Sequence, residues 1–336
     1  MRDFFAISLA AALSAVSYAA YAVGEADAIA RLLNSRSSGS PRLYAASATA
    51  VAEEAARGKP LQQFLVAVLS TEPDAPVALR LDDETRRRYL AQSKDRIKAM
   101  AEVRNNSLAW YLLSLESNDM AFLERAASLG NVQALNALGT IKLTRVIDSA
   151  SAPSEEDKAT MRDCFGFFTK AAEMDDANAL NSLGMCYQNG YGCEKDEAKA
   201  FECFKKAAAQ RHPEAVNNLG RFYREGVVVA KDLSVATKCF ATSAAMGDLW
   251  GQLNYANALM FGEGVPKNER RAVELFECIA KKGSPDAMEF LSKCYRSGLG
   301  GLQPDPRLAA VWMVRARAAR GDKSAEKWLK ANGELK

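Results

Sequence analysis

The chain has 336 residues, about half of them apolar and a quarter charged, with a net charge of +3. That is the composition of an ordinary soluble protein, long enough for one large domain or two. Lysines and arginines are matched by carboxylates along the whole length, which argues against the basic stripe of a nucleic-acid binder. The single histidine, His212, excludes most zinc sites and every nucleophilic arrangement that uses histidine as base. Ahead of Pro213 at a turn between helices, it reads as a solvated loop residue.

Residues 1–22 read as a signal peptide or a weak membrane anchor. Phe4 to Gly24 carry no charge, follow Met1-Arg2-Asp3, and pass through a small-x-small cleavage site, Ala20-Tyr21-Ala22, ahead of Val23. This resembles a secretory signal peptide, although the run is about long enough for an uncleaved tether, and a buried helix is a third reading. Asp3 and the lack of an arginine-rich pattern argue against a mitochondrial presequence. The expected location is therefore exported (periplasm, extracellular space or secretory lumen), with membrane anchoring as the alternative.

Residues 23–105 read as helices separated by breakers at Ser35 to Ser40, Gly58-Lys59-Pro60 and Thr71 to Pro76. Pro41 suits the first turn of an Ala-rich helix ending near Arg57, and Leu61, Phe64, Leu65 and Val68 give the next helix one apolar face. Asp82 or Asp83 caps a longer charged helix running towards Val103. Trp110 to Leu115 followed by Met120 to Ala127 has the pattern of a helical hairpin, as a decayed repeat would.

Over residues 106–321 a unit recurs, regular from Asn131 onward. Leu183, Leu219, Tyr255 and Leu291 are each 36 apart, as are Gly190, Gly226, Gly262 and Gly298, and as are Ala200, Ala236 and Ala272. Ala309 follows one residue late, after the longer loop Gly298 to Pro304. An earlier unit, Leu138-Gly139 with Ala171-Ala172, has nine extra residues, expected between its two helices around Thr144 to Glu156, where Ser154 caps a restarted helix. In each first helix Ala179, Leu180, Leu183, Tyr187 and their counterparts form the buried stripe, while Gly184, Gly220, Ala256 and Ser292 stay small so that a helix can approach closely. The Gly190-Tyr191-Gly192 turn ends the helix at positive φ. Asp196, Asp232, Asn268 and Asp305 cap the second helix, and Phe204, Phe240, Phe276 and Trp312 or Met313 fill the space between hairpins. Residues 322–336 form a terminal capping helix that buries Ala325, Trp328 and Leu329. The architecture expected is all-α, a right-handed α-solenoid of stacked antiparallel helix hairpins.

The pattern Ala179, Leu183, Gly184, Tyr187, Gly190, Gly192, Asp196, Lys199, Ala200, Phe204, Ala207 and Ala208 resembles the Sel-1-like repeat family, relatives of the tetratricopeptide repeats. Val228 departs from it at the second turn glycine, Tyr255 and Ala256 at Leu-Gly, and Leu259 at the tyrosine. The resemblance implies a scaffold that binds a protein or peptide in a concave groove, and not chemistry. A cysteine-rich branch of the family bridges its hairpin helices with disulfides; the seven cysteines here lack that regular pairing, and Cys164, Cys186 and Cys294 fall on core positions.

No catalytic, cofactor-binding or metal-binding residues are assigned. The Gly-x-Gly turns follow helices instead of strands, so they do not read as phosphate cradles. The leading function is a non-enzymatic adaptor of the cell envelope or secretory compartment; the alternative is an envelope hydrolase or cell-wall-binding protein using the same groove. The candidate partner-binding residues are Trp250, Leu253, Asn257 and Met260, an apolar interruption of a stripe that is otherwise polar, together with Asn217, Arg221, Arg224, Lys293 and Arg296 around it. Against this stands burial of Trp250 as an ordinary core residue, should Gly251 and Tyr255 change the rotation of the helix.

Overall fold

The computed structural model describes residues 41–58, 60–70, 75–117, 119–149 and 153–333; residues 1–22, for which a signal peptide or anchor is expected, and the expected breakers at 35–40 and 71–74 lie outside them. These residues form sixteen α-helices and no strand, in two compact units, one ending at His212 and the other beginning at Pro213.

The first unit contains α1 (Pro41–Ala56), α2 (Pro60–Leu69), α3 (Asp83–Arg104), α4 (Ser107–Ser117), α5 (Met120–Ser128), α6 (Val132–Ile147), α7 (Glu155–Ala172), α8 (Ala177–Asn189) and α9 (Glu197–Ala209). Asp82 caps α3 by accepting from the Thr85 N–H at 2.7 Å. Helix α2 is not apolar on one face only: Gln62 and Gln63 are as buried as Phe64 and Leu65. It is enclosed on all sides, and the Gln63 amide finds the Ala55 carbonyl at 3.1 Å, as a buried polar group must. The nine extra residues before α7 do not lengthen the connection. They extend α6 to 16 residues and α7 to 18, against 13 in α8 and α9, with a Ser154–Asp157 capping box starting α7.

The second unit contains α10 (Pro213–Glu225), α11 (Leu233–Ala245), α12 (Leu249–Phe261), α13 (Glu269–Lys281), α14 (Pro285–Ser297), α15 (Pro306–Ala319) and α16 (Lys323–Ala331). Each second helix in the two units starts on the expected cap, with Asp196, Asp232, Asn268 and Asp305 accepting from the third backbone N–H of their helices. In α16, Ala325 and Leu329 are buried but Trp328 is exposed. It directly precedes Leu329, about 100° around the helix from it, and so falls outside the covered face.

The small column has a specific cause. A Cβ on Gly139, Gly184 or Gly220 would lie 2.6–2.7 Å from the ring of Phe168, Phe204 or Phe240. The aromatic of each second helix therefore sits directly on the glycine of the first, closing the hairpin at full packing density. The second turn glycine makes a different contact: at Gly192 a side chain would collide with the Met161 carbonyl of α7, and at Gly264 with the Leu233 carbonyl of α11. That turn docks one hairpin on the start of the preceding second helix, and the Thr237 hydroxyl adds a 2.6 Å bond to the Glu263 carbonyl.

Candidate functional site

The rotational setting of α12 decides which of its residues face outward. Asp248 caps it, accepting from the Gly251 N–H at 2.7 Å and from the Ser243 hydroxyl of α11 at 2.9 Å. Gly251 lies so close to Ser243 that a Cβ there would not fit. The helix is thereby pinned to α11 with Gly251, Leu253, Ala256, Leu259 and Met260 turned inward. At roughly 100° per residue, Trp250, Asn254, Asn257 and Phe261 fall within a wedge of about 60°. Trp250 is 58% exposed and Phe261 62%, with the two asparagines half-buried between them.

This differs from the stripe expected from spacings of 3, 4 and 3. Leu253 and Met260 are 7% and 3% exposed and belong to the core, because they sit roughly 60–80° around the helix from Trp250. The outward face follows 4, 3 and 4. Trp250 stays outside, so the rotation set by Gly251 buries its neighbours and not the tryptophan. Asn217 is likewise buried.

Of the surrounding residues, Asn217 and Arg224 are used within the protein. Asn254 donates through Nδ2 to Asn217 Oδ1 at 2.8 Å and accepts from Arg224 Nη1 at 3.1 Å. The Arg224 guanidinium also lies 5.4 Å over the Phe240 ring. These groups tie α10 to α12. Arg221 is half-buried, 3.9 Å from Glu225. Lys293 and Arg296 are exposed on α14; the Lys293 ammonium stands 4.9 Å over Phe290, which stacks flat on Phe276 at 4.9 Å. Arg320, which caps the C-terminus of α15, engages both Asp286, at 2.7 Å, and Glu289 of α14. The Asn257 carboxamide has no hydrogen-bond partner among the described residues, and its Oδ1 is shut away from water.

Phe261 and Asn254 were missed by the sequence reading. Their signal is the interval of eleven residues from Trp250 to Phe261, three helical turns and about 16 Å along one face. His212 is half-buried, with Nε2 3.1 Å from Asn178 Oδ1, and burial lowers its pKa to about 4. It is not the solvated loop residue expected: it occupies the cap column between Asp176 and Asp248, where the chain turns into the next helix.

Burial works against a reactive thiol at three of the seven cysteines. Burial pushes the thiols of Cys164 and Cys294 up to about 11 and that of Cys186 up to about 12, which suppresses the thiolate that would react. All seven cysteines are free thiols. Among the described residues no three His, Cys, Asp or Glu side chains are grouped as metal ligands would be, and no helix is long and apolar enough to cross a membrane.

The repeat described as Sel1 repeat matches residues 177–212, 213–248, 251–284 and 285–319. A Sel1 repeat protein from Oxalobacter formigenes is similar in structure, with a TM-score of 0.53 and 26% identity over 66% of this chain and 86% of that one. A protective antigen of uropathogenic Escherichia coli that displays the same repeat fold has a TM-score of 0.53 at 23% identity. The match covers 84% of this chain but only 58% of that one, and at this identity the likeness concerns the fold. No curated protein matches the chain.

Proposed function

Because residues 177–319 are a run of Sel1 repeats, from a family whose members generally mediate protein–protein interaction, we propose that this chain is a non-enzymatic adaptor. Its partner is a protein or peptide segment held against the outward face of α12. The observation that carries this is the exposure of Trp250 and Phe261 on one face. The corresponding positions are Glu214 and Glu225 on α10, and Asp286 and Ser297 on α14. Two large aromatics exposed in register on an otherwise polar surface are the composition of a binding hot spot with a polar margin.

The experiment is a comparison of the full chain with its Trp250→Ala, Phe261→Ala double variant. Both should fold with the same helical circular dichroism, and the partner recovered from a native extract by the parent should be lost by the variant. Equal recovery by both removes the assignment of this face.

We further propose that the adaptor works after export or while tethered to a membrane, on the strength of the uncharged run Phe4 to Gly24. N-terminal sequencing of the natural protein should start near Val23 if the run is cleaved. Intact protein in a membrane pellet supports the tether, and intact soluble protein contradicts both.

A further inference from the structure

The first helices of the second unit, α10, α12 and α14, carry their residues in register at intervals of 36, so that Arg221, Asn257 and Lys293 form one row across them. Arg224 lies one turn from Arg221, and Arg296 one turn from Lys293. Glu225 offsets one of these four positive charges. Glu214 lies at the Trp250 end of the face, and Asp286 and Glu289 are held by Arg320. The middle of the face is therefore positive on both sides of α12, while α12 itself presents an uncharged carboxamide between two exposed aromatic rings.

Resting on the adaptor reading above, we propose that the occupant is an extended acidic segment that crosses the three helices. One apolar residue of it sits between Trp250 and Phe261. A main-chain carbonyl of the segment accepts from Asn257 Nδ2, which has no partner among the described residues, while Oδ1 stays shut inside. Carboxylates on either side reach Arg221 and Lys293, with Arg224 and Arg296 behind them. Packed helices are roughly 8 to 10 Å apart, so the two cationic groups are separated by about 16 to 20 Å. An extended chain advances about 3.3 to 3.6 Å per residue, which places the two carboxylates about five or six positions apart, flanking the apolar residue. Carboxylates at that spacing contribute orientation and encounter rate, and the apolar residue contributes the buried contact.

The test is an array of randomised nine-residue peptides probed with the full chain at low and moderate salt. Retained peptides should share two Asp or Glu residues five or six apart around an aliphatic or aromatic residue. Their retention should fall at least about tenfold with Trp250→Ala and should weaken with salt. An Arg221→Glu, Lys293→Glu variant should lose the acidic peptides and retain those with Lys or Arg at the same two positions. Retained peptides that depend on Trp250 but carry no acidic pattern overturn the acidic partner and leave the adaptor face standing. Retention indifferent to Trp250→Ala, or no retention at all, overturns both.

Discussion

The hairpins α10–α11 and α12–α13 have helices of identical length, 13 residues each, and each buries a phenylalanine of its second helix, Phe240 or Phe276. They differ on both sides of the first helix. On the inner side α10 adds buried Phe222 and places Gly220 directly under Phe240, whereas α12 carries Ala256, and Phe276 lies stacked on Phe290 of the next first helix. On the outer side α10 shows Glu214, Asn218, Arg221 and Glu225, whereas α12 shows Trp250, Asn254, Asn257 and Phe261. The inner difference is a repacking that keeps the same volume filled. The outer one has no packing reason, since neither exposed aromatic is covered within the unit, and that is why it points to a partner.

The sharpest way to break the inner comparison is to put volume on the glycine. Gly220→Leu should lower stability by about 1 to 3 kcal/mol, the usual cost of overpacking, read as a drop in urea midpoint at constant slope. Gly220→Ala should also destabilise although alanine is the better helix former, because its Cβ would stand 2.6 Å from the Phe240 ring. Ala256→Gly should cost only about 0.5 to 1 kcal/mol, the ordinary price of glycine in a helix. Equal effects of the two reciprocal changes would mean that the ring is free to move in both hairpins.

The preceding hairpin supplies a pH-dependent contrast in capping. Asp176, cap of α8, is half-buried, and desolvation raises its pKa to about 6 against bonds from the Ala179 and Asn178 N–H groups that lower it. The folded state therefore holds this proton more tightly than the unfolded chain. Its contribution is fully present below about pH 4 and is lost as pH rises through 6, a change on the order of 1 to 3 kcal/mol. Asp322 is the opposite case: bonds from the Ser324 hydroxyl and Arg317 lower its pKa, so its contribution is lost as pH falls. Asp176→Asn keeps a capping oxygen and removes the charge, so it should stabilise at pH 7 and flatten the melting temperature between pH 4 and 6. An unchanged pH profile would contradict the burial of the carboxyl.

A smaller effect is expected at the turns. Val228 stands at φ 65° where the neighbouring repeats have Gly192 and Gly264, and a β-branched side chain in that region is strained. Val228→Gly should raise stability by about 0.5 to 1 kcal/mol in thermal unfolding, after allowance for the added freedom of the unfolded chain. Gly264→Val should lower it, because its side chain would meet the Leu233 carbonyl. The smallest effect belongs to the outer face. Trp250→Ala and Phe261→Ala should each move stability by less than about 0.5 kcal/mol while abolishing partner capture; a large loss of stability would mean that the rings are structural.

The sequence made the hairpins, their caps and their inner glycine column legible, because each is enforced locally and recurs: a helix start needs an acceptor, a turn needs positive φ, and a ring needs an empty place to lie in. The geometry even reaches back past the matched repeats, where Phe168 covers Gly139 in α6–α7 in the same manner. The candidate face was legible only in part. Trp250 stands out as a break in a polar column, but Leu253 and Met260 do not belong with it, and Phe261 does. Residues spaced three or four apart track one side of a helix equally well from sequence, yet differ by roughly 100° in where they point.

What the chain alone determined is the repeating hairpin, since a period of 36 with fixed small, aromatic and capping positions admits few other folds. What only the tertiary structure decided is the direction in which each helix shows its remaining residues. That depends on contacts between different elements: Ser243 against Gly251 and Asp248 sets the rotation of α12, Asn217 and Arg224 take up Asn254, and Arg320 takes up Asp286 and Glu289. Local propensity leaves the helix free to turn about its own axis. Packing removes that freedom, and in doing so it leaves Trp250, Asn257 and Phe261 facing outward.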